Sequence, residues 1–221
     1  SRGLGDVYKR QLNVEDIIYK LASEVKHSRA IGNRLYTNIL VGRLGLIKDY
    51  GKFDQRFPVD SAHQIILGNE IEKLHRVILD SKRVIISGNP GSGKSWLVDE
   101  YIDKLTREDS KVIHYNCFHS LQDTNSLDRI RVTSLYGNLI SQIVEQCPEL
   151  VVHKNTIYGA NKAELENLLS FIEEEFYLVV DGLDHIAREY ELNKDLISHS
   201  EIEIISELLE IDFPDNCYVI I

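Results

Sequence analysis

Short apolar runs alternate with amphipathic stretches from residue 83 to the end of the chain. Nearly continuous apolar runs are typical of strands that are buried on both faces of a parallel sheet. We predict such strands at 83–87, 111–118, 176–181 and 217–221. Between the runs, apolar residues recur every three or four positions, which indicates helices that cover the sheet. These helices are predicted at about 69–79, 94–105, 132–147, 162–175 and 200–211.

A second region with helical periodicity precedes this α/β pattern. Its first apolar residues at helical spacing are Ile17, Ile18, Leu21 and Val25. The periodicity continues with few breaks, so we predict helical structure over 13–50. Residues 49–60 combine glycine, proline and charge, which is typical of a linker. We therefore divide the chain into a helical segment with its linker at 12–60 and an α/β domain at 61–221.

Composition and charge restrict the class of protein. The chain has 221 residues, of which 43% are hydrophobic and 27% charged, as in ordinary globular domains. Its formal net charge of −10 argues against general binding of nucleic acids or anionic lipids. No apolar run approaches the roughly 20 residues that span a bilayer. Cys117, Cys147 and Cys217 are too far apart for a zinc motif, so we expect free thiols in the reducing cytoplasm.

Both ends of the sequence look artificial. The chain contains no methionine, and residues 1–11, "SRGLGDVYKRQ", show no apolar periodicity. The codons for "DVYKRQ" resemble a transposon-end adaptor that is used to tag DNA for sequencing. We therefore interpret 1–11 as a translated adaptor and leave it out of the fold prediction. The last residues, "NCYVII", stop inside a predicted strand, so we interpret the chain as a piece of a longer protein.

The sequence "GNPGSGKS" fits the phosphate-loop pattern G-x-x-x-x-G-K-[ST]. A predicted strand precedes it and a predicted helix follows, as the pattern requires. We assign phosphate binding to Gly88, Asn89, Pro90, Gly91, Ser92, Gly93, Lys94, Ser95 and Trp96. Lys94 is predicted to contact the β and γ phosphates, and Ser95 to ligate Mg²⁺. We expect the Trp96 ring to pack in the protein and not to stack on a base.

Two aspartates follow the predicted strand 176–181 in "LVVDGLDH". A carboxylate at the carboxyl end of a buried parallel strand lies on the edge where ligands bind. We assign Asp181 to Mg²⁺, and Asp184 to the water that attacks the phosphate, with Lys94 as its catalytic partner. Gly182 permits a sharp turn that brings Asp184 back toward the phosphates. The alternative is that both aspartates merely cap the next element.

With both motifs placed, the chain resembles the STAND class of P-loop ATPases, particularly its NACHT-like branch. The resemblance depends on "GNPGSGKS", "LVVDGLDH" and "FPDNCYVII" and covers about residues 68–221. It implies ATP or ADP and Mg²⁺ as cofactors and a P-loop sandwich whose last strand lies between the strands before Lys94 and at Asp181. In the family the second motif usually ends in Glu, whereas this chain has His185. Only Asp184 is then left to activate water, so we expect slow hydrolysis.

The resemblance also implies a function. We expect a regulatory ATPase that works as a nucleotide-dependent switch in signalling or antiphage defence and self-associates through this domain. In the family, a sensor residue, a helical lid and a winged helix follow the last strand, and this sequence ends before them. We therefore expect a sheet that is incomplete at its C-terminal end. We also expect this piece to bind nucleotide but to hydrolyse it poorly. Two alternatives stay open: an AAA-type remodelling or loading ATPase, and a module that holds nucleotide without useful turnover.

Two further groups of residues suggest a functional site, and we explain both by structure instead. His114, Cys117 and His119 in "HYNCFH" suggest a metal site, but residues 114 and 117 lie on opposite faces of a strand. Arg129 and Arg131 in "LDRIRVTS" are able to reach a phosphate or a partner subunit. We instead expect them to be solvated at the start of a helix.

Overall fold

The computed structural model describes residues 14–30, 32, 54–56, 67–154 and 160–221. Contacts divide the chain into two units. The first contains helix α1, Val14–Ala30, and the second contains the other described residues except Gly32 and Ala160. The proposed adaptor, the predicted helical stretch after Ala30 and most of the predicted linker lie outside the described residues.

Helix α1 confirms the first part of the helical prediction. Its residues Ile18, Leu21 and Val25, which define the periodicity, are exposed. At 17 residues it is the longest described helix, and it carries several charged side chains. Spanning a bilayer takes about 20 mostly apolar residues. Throughout the described ranges, no helix is long and apolar enough to cross a membrane.

The second unit alternates helices and strands in the predicted order and adds two helices that were not predicted, Ser126–Arg129 and Ile186–Asn193. Its α-helices are α2, Gly68–Ser81; α3, Lys94–Arg107; α4, Ser126–Arg129; α5, Val132–Gln146; α6, Lys162–Leu169; α7, Ile186–Asn193; and α8, Ile204–Glu210. Its strands are β1, Arg83–Val84; β2, Lys111–Asn116; β3, Phe176–Asp181; and β4, Cys217–Ile220. Short 3₁₀ turns occupy Pro148–His153, Leu183–His185 and His199–Glu201.

The described strands form one parallel sheet in the order β1-β4-β3-β2. Strand β4 therefore lies between β1 and β3, which is the order that the resemblance implied. Every residue of β3 from Phe176 to Val180 is buried, so both faces of the strand are covered. This confirms the predicted α/β class with a parallel sheet. Because all the strands run the same way, the loops after β1, β2 and β3 meet at one edge.

Helices α2 and α3 pack on one face of the sheet and position the loop that joins β1 to α3. The contact is made by alternate residues of the strands, since successive side chains point to opposite faces. The buried residues of this core are Ile71, Leu74, Ile78, Val98, Tyr101, Leu105, Tyr177, Val179, Tyr218 and Ile220. Leu105 and Ile78 are completely buried.

The strand predicted at 111–118 ends two residues early, at Asn116, and three further predicted elements are shorter by three residues or more. The strand predicted at 83–87 is assigned only at Arg83–Val84, although its ladder continues where Ile86 N–H donates to Ile221 O at 2.6 Å. The helix predicted at 162–175 ends at Leu169, because Phe171 N–H donates to Leu168 O in a tighter turn. The helix predicted at 200–211 is a 3₁₀ turn followed by α8.

Side-chain amides form hydrogen bonds with the backbone N–H and C=O groups at the outer edge of β2. Gln142 of α5 accepts from His114 N–H at 2.8 Å and donates to His114 O at 2.7 Å. One helical turn further, Gln146 donates to Val112 O. Gln55, in the predicted linker, accepts twice from Asn116 at the strand's end: its side-chain oxygen accepts from Asn116 N–H at 2.7 Å, and its backbone carbonyl accepts from the Asn116 side-chain amide. An unpaired strand edge is a template for association with other chains, and these amides cover it.

Candidate functional site

Glycines shape the loop between β1 and α3. Gly91 has φ of 77° and Gly93 has φ of 87°, a left-handed conformation that strains any residue with a Cβ. At Gly88 the restriction is space, because a Cβ there would lie 2.9 Å from Ser92 Oγ. The backbone conformation of this loop therefore favours glycine at Gly91 and Gly93. A backbone of this form lets main-chain N–H groups approach an anion.

Helix α3 begins immediately after this turn. Gly93 is its N-cap residue and supplies no side-chain cap, and the first intrahelical bond joins Leu97 N–H to Gly93 O at 2.9 Å. The N–H groups of Lys94, Ser95 and Trp96 belong to the first turn, which has no acceptors inside a helix. Such groups, with the helix dipole, favour an anion at this end.

The Lys94 side chain folds back over the loop. Its Nζ donates to Gly88 O at 3.0 Å and to Asn89 O at 3.4 Å. The same atom lies 3.5 Å from Asp184 Oδ2, and the side chain is 18% exposed. The structure therefore brings the predicted cation of the phosphate loop into contact with the predicted catalytic aspartate.

A cavity of about 270 Å³ opens between the loop and the turn after β3. Its lining consists of Pro90, Gly91, Ser92, Gly93, Lys94, Ser95, Trp96, Phe118, Asp184 and His185. Most of the residues assigned to phosphate binding line it, while Gly88 and Asn89 hold the Lys94 ammonium by their carbonyls. Backbone amides, one ammonium and a hydroxyl are the donor set that suits a polyphosphate, so the residues fit that ligand.

Asp181 is the last residue of β3 and lies beside Asn116 of β2. Its carbonyl accepts a hydrogen bond from Cys117 N–H at 2.9 Å, which continues the ladder between the two strands. Asp181 lies at the same sheet edge as the glycine loop, but among the described residues it is not part of the cavity lining. Carboxylate and hydroxyl oxygens such as those of Asp181 and Ser95 are the ligands that Mg²⁺ prefers.

Gly182 produces the turn that the sequence predicts. Its φ is 79°, and a Cβ on it would lie 2.9 Å from the backbone nitrogen of Phe118. The 3₁₀ turn Leu183–His185 follows at once. Asp184 is therefore turned back toward Lys94, and its side chain remains 50% exposed.

His185 forms the wall of the cavity next to Asp184. Its ring stacks on Phe118, with 3.9 Å between centroids and 15° between planes. Its Nε2 lies 3.8 Å from Asp184 Oδ1. Burial lowers the pKa of His185 below its ordinary value, and the nearby Arg188 guanidinium lowers this pKa further, against the raising effect of Asp184. The imidazole is thus neutral near pH 7.

A second cavity, of about 310 Å³, shares part of its lining with the first, and Trp96 belongs to both linings. The second cavity is lined by Leu67, Glu70, Ile86, Ser87, Ser92, Gly93, Lys94, Trp96 and Leu97. The indole is half-buried, which agrees with a packing role. Its Nε1 is buried and has no hydrogen-bond partner among the described residues.

Phe118 lines the cavity but is not among the predicted site residues. The prediction of a strand at 111–118 placed Phe118 at the strand's end, whereas β2 ends at Asn116. The signal was present, because a residue just past a parallel strand falls on the ligand-binding edge.

The interpretation of Arg129 as a solvated residue is wrong. Its side chain is 2% exposed and donates to Asp123 Oδ2 at 2.5 Å, with further bonds to the carbonyls of Asn116 and Asp54. Burial without such partners would be costly, so the guanidinium is structural. Arg131 is partly exposed and pairs with Asp128 and Glu201.

Comparison with known proteins places the chain in a family. The family model described as Nephrocystin 3, N-terminal, matches residues 70–210, which is more than half of the 221-residue chain. The match includes the glycine loop and both aspartates, and it supports the coarser part of the resemblance, a STAND-like region. Neither the curated proteins nor the solved structures yield a match. The chain belongs to the Nephrocystin 3, N-terminal family.

Proposed function

We propose that the α/β unit is the ATP-binding module of a STAND-class, NACHT-like regulatory ATPase that works as a nucleotide-dependent switch. One observation carries the proposal: the Lys94 ammonium lies between the carbonyls of the glycine loop and the carboxylate of Asp184. A cation held in that position beside a helix N-terminus suits the β and γ phosphates of a nucleotide.

Each side chain then has a distinct role. The amides that begin α3 and the Lys94 ammonium bind the phosphates, while Ser95 and Asp181 hold Mg²⁺. Asp184 orients the attacking water and accepts its proton at a carboxylate oxygen. Bound Mg²⁺ supplies the divalent charge that neutralises the phosphate oxygens. The second cavity, which shares Lys94 and Trp96 with the first, takes the nucleoside end of ATP or ADP.

Turnover in this proposal is slow. His185 stands where the resembling family usually has Glu, and it is a neutral ring stacked on Phe118. Asp184 is the acid left for water activation, and it is paired with Lys94. The same contacts favour a second candidate function, a module that holds nucleotide as a structural ligand without useful turnover.

Cellular context belongs to the proposal as well. All three cysteines are buried and unpaired, which supports a reducing, cytoplasmic compartment. We propose that the protein self-associates through this domain when its nucleotide changes, in signalling or defence.

The test is nucleotide binding by a Lys94→Ala variant. Among the described residues that line the two cavities, Lys94 is the only lysine. Loss of its ammonium should therefore lower the affinity for Mg²⁺–ADP about a hundredfold. Trp96 is the only tryptophan in the chain and lines both cavities, so its fluorescence reports the titration, with calorimetry as a second readout.

Lys73→Ala is the matched control, because Lys73 is exposed on α2 and the substitution makes the same change of net charge. The control should bind as the wild type does. Undiminished binding by Lys94→Ala, or no binding by the wild type, would contradict the proposed function.

A further inference from the structure

The cavity between the glycine loop and the turn after β3, here called the phosphate cavity, carries no net formal charge. Of the described residues that line it, the ionised ones are Lys94 and Asp184, whose charges cancel. His185 adds no charge because it is neutral near pH 7. The whole chain has a net charge of −10, so long-range attraction does not compensate. A bare nucleotide with several negative charges therefore finds hydrogen-bond donors here but no excess of positive charge.

A neighbouring cation, the Arg188 guanidinium, lies 4.9 Å from the centre of the Phe118 ring. It does not line the cavity, and it pairs with Glu189 at 3.0 Å. Arg188 and Glu189 together therefore add no net formal charge beside the cavity.

Asp184 competes with a phosphate for the same ammonium. Its Oδ2 is 3.5 Å from Lys94 Nζ, which is ion-pair distance, and the Asp184 side chain is 50% exposed. A phosphate oxygen that approaches Lys94 meets this carboxylate and is repelled by it. A divalent cation that accompanies the phosphates reverses the effect, because the same carboxylate then attracts the complex.

We propose that Asp184 is the specificity-determining residue that makes the phosphate cavity bind Mg²⁺-bound nucleotide in preference to metal-free nucleotide. The inference rests on the proposed function, since it concerns the same site. It assigns Asp184 a role in binding that is separate from water activation. Removal of an ordinary binding residue weakens the binding of its ligand. Removal of the Asp184 carboxylate should instead strengthen the binding of metal-free nucleotide.

The experiment measures ADP affinity of the full chain with Mg²⁺ and, separately, with EDTA. Asp184→Asn keeps the shape of the side chain and removes its charge. We expect metal-free ADP to bind this variant about tenfold more tightly than it binds the wild type. The ratio of affinities with and without Mg²⁺ should shrink by the same factor or more. Trp96 fluorescence and calorimetry give the readout, and neither depends on catalysis.

Asp195→Asn is the control, since Asp195 is exposed and outside both cavities and its replacement makes the same change of net charge. It should leave both affinities unchanged. Asp184→Ala serves as a second variant and should behave as Asp184→Asn does.

The outcomes separate the two claims. If the wild type binds Mg²⁺–ADP but neither Asp184 variant gains affinity for metal-free ADP, the inference is wrong and the proposed function stands. If the wild type binds neither form of ADP, the proposed function fails and the inference fails with it. A gain of equal size in Asp195→Asn would also overturn the inference, because general charge would then explain it.

Discussion

His114 makes the stability of the α/β unit sensitive to acid. Its ring lies on β2, almost entirely buried, and its Nε2 donates to Asn116 Oδ1 at 2.9 Å. Burial lowers the pKa of His114 from the ordinary 6.5 to about 4, and the hydrogen bond to Asn116 and the charge of Asp181 offset only part of this effect. The folded protein thus keeps this imidazole neutral at pH values where the unfolded chain protonates it.

The sign and size follow from proton linkage. Above the unfolded pKa of 6.5 both states are neutral, so His114 has no effect on the pH dependence of stability. As the pH falls from 6.5 to about 4, the unfolded chain gains a proton that the folded protein does not, and the free energy of unfolding falls. The full shift corresponds to about 3 kcal/mol, of which about 2 kcal/mol is lost by about pH 5.

A His114→Gln variant tests this prediction. Glutamine keeps an N–H donor for Asn116 but does not titrate, so its stability should lose about 2 kcal/mol less than the wild type between about pH 8 and about pH 5. Urea unfolding at the two pH values measures the difference. The exposed His199 gives the control, and His199→Gln should show the same acid loss as the wild type. Equal acid losses in His114→Gln and the wild type would refute the reasoning.

Three further substitutions test other parts of the structure. Gly182→Ala should destabilise the fold by about 2 kcal/mol in thermal unfolding and weaken nucleotide binding, since the new Cβ meets the Phe118 backbone at a positive φ; unchanged stability would contradict the turn. Arg129→Gln should cost about 4 kcal/mol, because Asp123 then remains buried without its partner. Arg131→Gln, at a partly exposed pair, should cost about 0.5 kcal/mol, and similar losses for both arginines in urea unfolding would contradict the distinction.

Much of the candidate site could be predicted because its signals are local. The motif predicts glycines in the left-handed conformation and a strand that ends in an aspartate, and the structure has Gly93, Gly182 and Asp181 in those positions. The surroundings of Phe118 and Arg129 were predicted wrongly because they do not depend on local sequence. Whether a side chain next to a strand or a helix is buried depends on residues distant in the chain, as the bond from Arg129 to Asp54 O shows.

The sequence by itself determined the parallel α/β class, the strands, the approximate bounds of α2, α3 and α5 and the residue types of the phosphate loop, because periodicity and backbone conformation depend on near neighbours. Only the tertiary structure decided that Asp184 contacts Lys94 and that His185 stacks on Phe118 as a neutral ring. These pairings join loops from different strands. Their energies depend on burial and on distances across the sheet edge, which no local pattern encodes.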